Sequence, residues 1–182
     1  YGIAGHSSDR RAMTDNAIHK LTNWCHDALI SARSFDDKFI GPLQGLAFNL
    51  GTIEGGVKPN IIADSASVKF GFRPLPGQNV DKILESLKTT SIKNESCFTP
   101  GFVAPALPAD GDMQTLESMV KALGLKKSEP VNFWTEASLF SEAGLPAIVF
   151  GPGDIANAHQ PNEYVEISEL SQALMLYRDL IK

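Results

Sequence analysis

A histidine on a glycine-bounded loop is the clearest chemical feature of this sequence. His159 lies in FGPGDIANAHQPNEYV, residues 150–165, directly after the apolar run PAIVF at 146–150. A short continuous apolar run bounded by glycines predicts a strand buried on both faces of an open α/β sheet. Ligands bind at the carboxyl edges of such strands. Gly151, Pro152 and Gly153 stop the run, so His159 is expected in an irregular polar loop at that edge, where a metal or substrate ligand usually sits. Glu163, four residues on, offers the carboxylate that a ligating imidazole needs to fix its tautomer. His6 closes a strand-like stretch, YGIAGHSS, and is followed by two hydroxyls. Arg73 ends an alternating strand and points away from its apolar face. His19 and His26 lie off the apolar stripe of a helix, about 10.5 Å apart along its axis, too far to chelate one ion. Both read as solvated surface.

Composition narrows the function classes. The chain has 182 residues, 43% hydrophobic content and a net charge of −5. That is enough for one good core or two small ones. The scattered Lys and Arg argue against nucleic acid or an anionic membrane as partner and favour a small molecule or a protein. No apolar run approaches the ~18 residues of a membrane span, and no secretory leader is visible, so the sequence reads as soluble and cytoplasmic. The two cysteines, Cys25 and Cys97, have neither metal-ligand nor redox spacing, and Cys25 reads as a buried thiol. The chain opens on Tyr1 rather than methionine, and a fragment is expected.

The elements that would position these residues follow from periodicity. Thr14 or Asp15 is expected to cap a helix to about Ser34, with Ile18, Leu21, Cys25, Ala28, Leu29 and Ala32 as its stripe. Ser34 to Gly45 reads as a loop and Leu46 to Ile53 as a strand, with Asn60 on the connection after Gly55 and Gly56. Ser67 to Arg73 alternates cleanly, with Val68, Phe70 and Phe72 on one face. Gln78 or Asn79 caps a second helix buried through Val80, Ile83, Leu84 and Leu87, and a weak strand is expected between Glu95 and Val103. This order is the split βαβ, ferredoxin-like plan. A proline-rich connection then changes the pattern, so the chain is expected to divide into 1–103 and 104–182. The second part reads as a helix over Met113 to Leu123 with Gly124 beyond it, a strand over Val131 to Trp134, a loop and short helix to Ala143, PAIVF, the His159 loop, and an amphipathic helix over Ile167 to Ile181. Two parallel strands cannot make an independent sheet, so a larger α/β domain, with the first part inserted into it, is the simplest account.

With these residues in view, the sequence resembles the M20 family of metal-dependent amidohydrolases, in the branch of acetylornithine deacetylase, succinyl-diaminopimelate desuccinylase and aminoacylase. The matching runs are GHSS with NAI at 16–18, NLGTIEGG with PNIIAD, FRPLPG, TEAS at 135–138, and FGPG with AHQPNEYV. The resemblance implies an α/β fold: a ferredoxin-like α+β lid over 1–103 that makes a homodimer, then the C-terminal part of a zinc-exopeptidase-like catalytic domain. It implies two zinc ions in the full-length enzyme, with cobalt as an alternative, and His159 as the last metal ligand. His6 matches a lid histidine that reaches the partner subunit's active site and polarises the scissile carbonyl. Asn60 and Arg73 match substrate-binding lid positions, and Thr135 and Glu136 match a loop lining the pocket. Between GHSS and NAI stands DRRAMTD, where relatives usually carry a proline and a glycine.

The implied activity is hydrolysis of an N-acyl amino acid, with N-acetylornithine in arginine biosynthesis first and N-acetylcitrulline or N-succinyl-diaminopimelate as alternatives. One imidazole cannot hold a catalytic zinc that needs three protein ligands, so the chain alone is expected to be inactive. The structural alternatives are a turn-holding Asn60, an Arg73 in an ordinary surface ion pair, a satisfied strand-end His6 and a Glu136 that complements a helix dipole. A non-catalytic dimerisation module is the alternative from another functional class.

Overall fold

The computed structural model describes residues 1–181. Its first long helix, α1 (Ala17–Arg33), starts one residue later than expected, because Asn16 provides the cap, its side chain accepting from the Ile18 N–H at 2.9 Å. Thr14 and Asp15 are spent on each other, the hydroxyl donating to the carboxylate at 2.9 Å. The buried stripe also turns relative to the expected one. Trp24, Cys25, Ala28 and Ala32 are buried, while Ile18 and Leu29 sit at its exposed margins. Trp24 sets this rotation, since its ring lies in the core and its indole N–H donates to Ser91 Oγ of the second long helix at 2.7 Å.

That helix, α2 (Val80–Lys93), is capped by Asn79, which accepts from the Lys82 N–H at 2.9 Å, and buries Ile83 and Leu87. It ends on Glu95 at φ 52°, the left-handed residue that glycine ordinarily supplies. The Ser96 N–H bonds back to the Ser91 carbonyl and the Glu95 N–H to that of Ile92, closing the helix end. Lys20 of α1 holds the Glu95 carboxylate at 2.6 Å. Nearby, the Lys93 ammonium and then the Asn94 amide, both bonded to Asp27, hold the Asp27 carboxyl below its usual range.

Both helices cover a hairpin of β4 (Ala47–Gly55) and β6 (Ala66–Arg73). The alternation expected of β6 is present, with Val68, Phe70 and Phe72 half-buried and Lys69, Gly71 and Arg73 exposed. The ladder pairs Phe48 with Phe72 and Leu50 with Phe70, then slips one residue so that Ile53 faces Val68. Gly51 is the extra residue. This bulge changes the parity of β4, so that Phe48, Leu50 and Ile53 all share the face of β6 that carries the core.

Short ladders complete the first half. Here β1 (Gly5–His6) pairs antiparallel with β5 (Ile61–Ile62), and β2 (Phe39–Ile40) with β3 (Leu43–Gln44) inside the stretch expected to be a plain loop. The strand expected between Glu95 and Val103 does not form. Pro100 has no N–H to give a ladder, and Phe98 instead packs its ring against Phe70 at 5.9 Å. Among the described residues there are therefore three two-stranded ladders rather than one four-stranded sheet, within a mixed helix-and-strand fold.

The second half holds α3 (Met113–Ala122), closed by Gly124 at φ 66°, then α4 (Ala137–Glu142) and α5 (Ile167–Leu180). The strands expected at 131–134 and 146–150 are absent, since neither run finds a ladder partner among the described residues. Side chains anchor them instead. Trp134 meets Phe102 edge to face at 5.1 Å, and the Tyr177 hydroxyl of α5 donates to the Phe150 carbonyl at 2.8 Å. Ala173 is the buried residue of α5, whereas Ile167, Leu170 and Leu174 of its expected stripe are exposed. The halves touch where Gly77 and Gly111 cross, both at positive φ, with a Cβ built on Gly111 only 3.0 Å from the Gly77 Cα. No described helix is long and apolar enough to cross a membrane.

Two outcomes follow from this packing. Leu87→Ala opens the core and should cost about 2–5 kcal/mol in urea unfolding, whereas Ile167→Ala should stay within ~0.5 kcal/mol. The Asp27 carboxyl has a folded value below its unfolded one, so its stabilisation is present at neutral pH and is lost as the pH falls through and below the ordinary carboxylate range. Asp27→Asn should therefore flatten the acid limb of a Tm-against-pH curve relative to the wild type.

Candidate functional site

The residues singled out in the sequence fall into two groups at different places in the fold. His6 ends β1 opposite Ile61, and the Ser7 N–H donates to the Asn60 carbonyl at 3.1 Å, so His6 and Asn60 share one end. Its imidazole is exposed, with Nδ1 2.8 Å from Ser8 Oγ. The β5 strand leads within a few residues into Ala66, the start of β6. Arg73 lies at the opposite end of β6, about 23 Å away at ~3.3 Å per residue, facing Ala47. Its Nη1 donates to the Phe72 carbonyl at 3.1 Å.

Arg73 is brought to the second group. It lines a cleft of about 2130 Å³ together with Trp134, Thr135, Ala158 and Glu163. Thr135 caps the short α4, its Oγ1 accepting from the Ala137 N–H at 3.1 Å. Glu136 is the N-cap residue of α4 and makes no side-chain capping bond. His159 is exposed between two residues of the cleft wall and takes the left-handed backbone at φ 61°. Glu163 makes a different contact from the one expected, since its carboxylate accepts the backbone N–H of His159 at 3.0 Å rather than a ring N–H. The carboxylate thereby closes the loop from 159 to 163 through the main chain.

Sequence reasoning passed over Trp134 and Ser138, which flank the Thr135–Glu136 pair. The indole N–H and the hydroxyl are buried and have no hydrogen-bond partner among the described residues. Burial was the missing signal, and neither residue type announces it. Among the described residues no group of three or more His, Cys, Asp or Glu could hold a metal ion. His159 and Glu163 offer two donors at most, so these residues do not by themselves fit a catalytic zinc.

The profile of the M20 peptidase dimerisation domain matches residues 1–94. This chain belongs to that family. An N-acetyl-L-citrulline deacetylase of Xanthomonas campestris is 39% identical over 178 residues, covering 94% of this chain and 48% of that protein. An acetylornithine deacetylase of Myxococcus xanthus is 33% identical over 153 residues, covering 80% of this chain and 40% of the relative. Another, from Pectobacterium carotovorum, is 32% identical over 175 residues, covering 91% and 45%. The chain thus spans about half the length, or less, of these curated relatives. The crystal structure of the aminopeptidase PepT from Bacillus cereus superposes with a TM-score of 0.57 at 18% identity, covering 97% of this chain and 47% of that one. The M20 fold is therefore common to both. Within it, His6 and Asn60 lie in the dimerisation domain at the end remote from the cleft, and Arg73 lies at the end that meets it.

Proposed function

We propose that the whole protein hydrolyses the amide bond of an N-acyl amino acid, releasing a carboxylic acid and the free amino acid. The observation that carries this reading is identity of 32–39% with deacetylases of N-acetylcitrulline and acetylornithine across most of the chain. The resemblance of the sequence motifs puts N-acetylornithine first, and the higher identity to the citrulline enzyme puts N-acetylcitrulline beside it. The active protein is proposed to be a cytoplasmic homodimer serving arginine biosynthesis, with residues 1–103 as lid and 104–182 as part of the catalytic domain.

The separation of the two groups supports a composite site. His6 and Asn60 of one subunit would complete a cleft formed by Arg73 and Thr135 of the other, with Glu136 next to Thr135 at the start of α4. Arg73 would grip the substrate α-carboxylate through paired N–H donors. His6 would donate a hydrogen bond to the carbonyl oxygen as it gains charge. Enzymes of this family are metal-dependent; zinc is the proposed ion, and His159 the one ligand this chain would contribute. The 182-residue chain alone is proposed to be inactive.

Zinc content and hydrolysis of both N-acetyl substrates test this on the full-length protein and on the 182-residue chain. About two zinc ions per subunit with hydrolysis in the first, and neither in the second, supports the reading. A metal-loaded full-length protein that cleaves no N-acyl amino acid sinks it in favour of a non-catalytic dimerisation module. The composite site has its own test. Mixing inactive His6→Ala and Arg73→Ala subunits should restore about a quarter of wild-type activity, because half of the dimers are mixed and each has one intact site. No recovery would place His6 and Arg73 in one subunit's site.

A further inference from the structure

The turn after β1 contains a hydrogen-bond arrangement that decides what His6 can do. Its Nδ1 lies 2.8 Å from Ser8 Oγ and also receives the Ser8 backbone N–H at 3.3 Å. A main-chain N–H only donates, so Nδ1 is an acceptor. In a neutral imidazole the proton then sits on the other nitrogen, Nε2. The Ser8 hydroxyl, which can donate or accept, faces the same lone pair and is left the donor role.

The turn is itself held in place. The Asp9 N–H donates to the His6 carbonyl at 3.0 Å, closing a four-residue turn. The Asp9 carboxylate accepts the Arg11 backbone N–H at 3.0 Å and its Nε at 2.9 Å. These contacts keep the Asp9 carboxyl below its usual range. The Arg11 guanidinium lies against Gly5, where an added Cβ would be 3.1 Å from Nη2. Residues 9–11 thus press the turn against β1, and Ser8 is fixed opposite the His6 ring.

We propose that Ser8 is a positioning residue that locks His6 as the Nε2–H tautomer, leaving the exposed end of the ring as a hydrogen-bond donor and not a base. The inference rests on the deacylase reading only for what that donor meets: an acceptor oxygen such as an amide carbonyl. The lock itself is a property of this turn.

The test is long-range 1H–15N correlation on full-length protein labelled at histidine, at mildly alkaline pH, with the His6 signals assigned by their loss in His6→Gln. The wild type should show an unprotonated Nδ1 and a protonated Nε2 at His6. Ser8→Ala removes the shorter bond to Nδ1, at 2.8 Å, and keeps only the backbone N–H at 3.3 Å. The single Nε2–H form should therefore weaken to a mixture of tautomers that Ser8→Thr restores to one form, both with an unchanged backbone amide spectrum. In hydrolysis of the N-acetyl substrates, Ser8→Ala should lower kcat about tenfold with KM within about twofold, and Ser8→Thr should recover kcat. A protonated Nδ1 at His6 in the wild type, or a tautomer unchanged by Ser8→Ala, overturns the proposal. The nuclear resonance readout needs no turnover. If it behaves as expected while no N-acyl amino acid is cleaved, the deacylase reading falls and the Ser8–His6 lock stands.

Discussion

The ring of Phe70 is the contact on which the dimerisation domain depends. It meets Trp24 of α1 at 5.2 Å, Phe48 of β4 at 5.4 Å and Phe98 of the segment after α2 at 5.9 Å. Such pairs contribute about 0.5–1.5 kcal/mol each beyond their area burial. One side chain therefore ties a helix, both strands of the hairpin and the exit of the second helix to a common point. The Trp24 indole bond to Ser91 then fixes the two helices relative to each other, with both polar groups buried and satisfied. Arg73 is three residues along the same strand from Phe70, so the cleft end of the domain takes its position from this cluster.

The parts of the fold legible in the sequence are those governed by local period and capping. The alternation of SVKFGFR, the stripe of α2 with its Asn79 cap, and Gly124 closing α3 all depend on neighbours within a few residues. What the sequence hid depends on distant partners. A strand exists only where another strand accepts its hydrogen bonds. The runs at 131–134 and 146–150 have the composition of strands and no ladder. Trp24 displaced the expected stripe of α1 because its destination, Ser91, lies 67 residues away.

The site was legible to a similar depth. Residue types and motifs picked out His6, Asn60, Arg73, Thr135 and His159, but spacing along the chain says nothing of which end of a hairpin each occupies. Glu163 shows the limit well. Four residues separate it from His159, close enough for a bond to ring or backbone, and in the fold it is the main-chain amide that meets the carboxylate. Trp134 and Ser138 were invisible because a polar atom without a partner leaves no trace in composition.

The bulge at Gly51 also governs how β4 tolerates change. Up to Leu50 the even positions face the core, and beyond Gly51 the face passes to Ile53, so the strand is two half-strands of opposite phase. A strand that ran straight through Gly51 without bulging would swap inside for outside along the remaining half, bringing Thr52 and Glu54 inward. Loss of Gly51 itself would keep Thr52 opposite Lys69 and Ile53 opposite Val68. Swapping Thr52 or Glu54 for another polar residue disturbs only a solvent-facing position. In β4 the phase set at Gly51 is therefore under tighter constraint than the identity of the outward residues, and a residue inserted beyond the bulge, which would turn Ile53 outward, is the more damaging accident in the evolution of this domain.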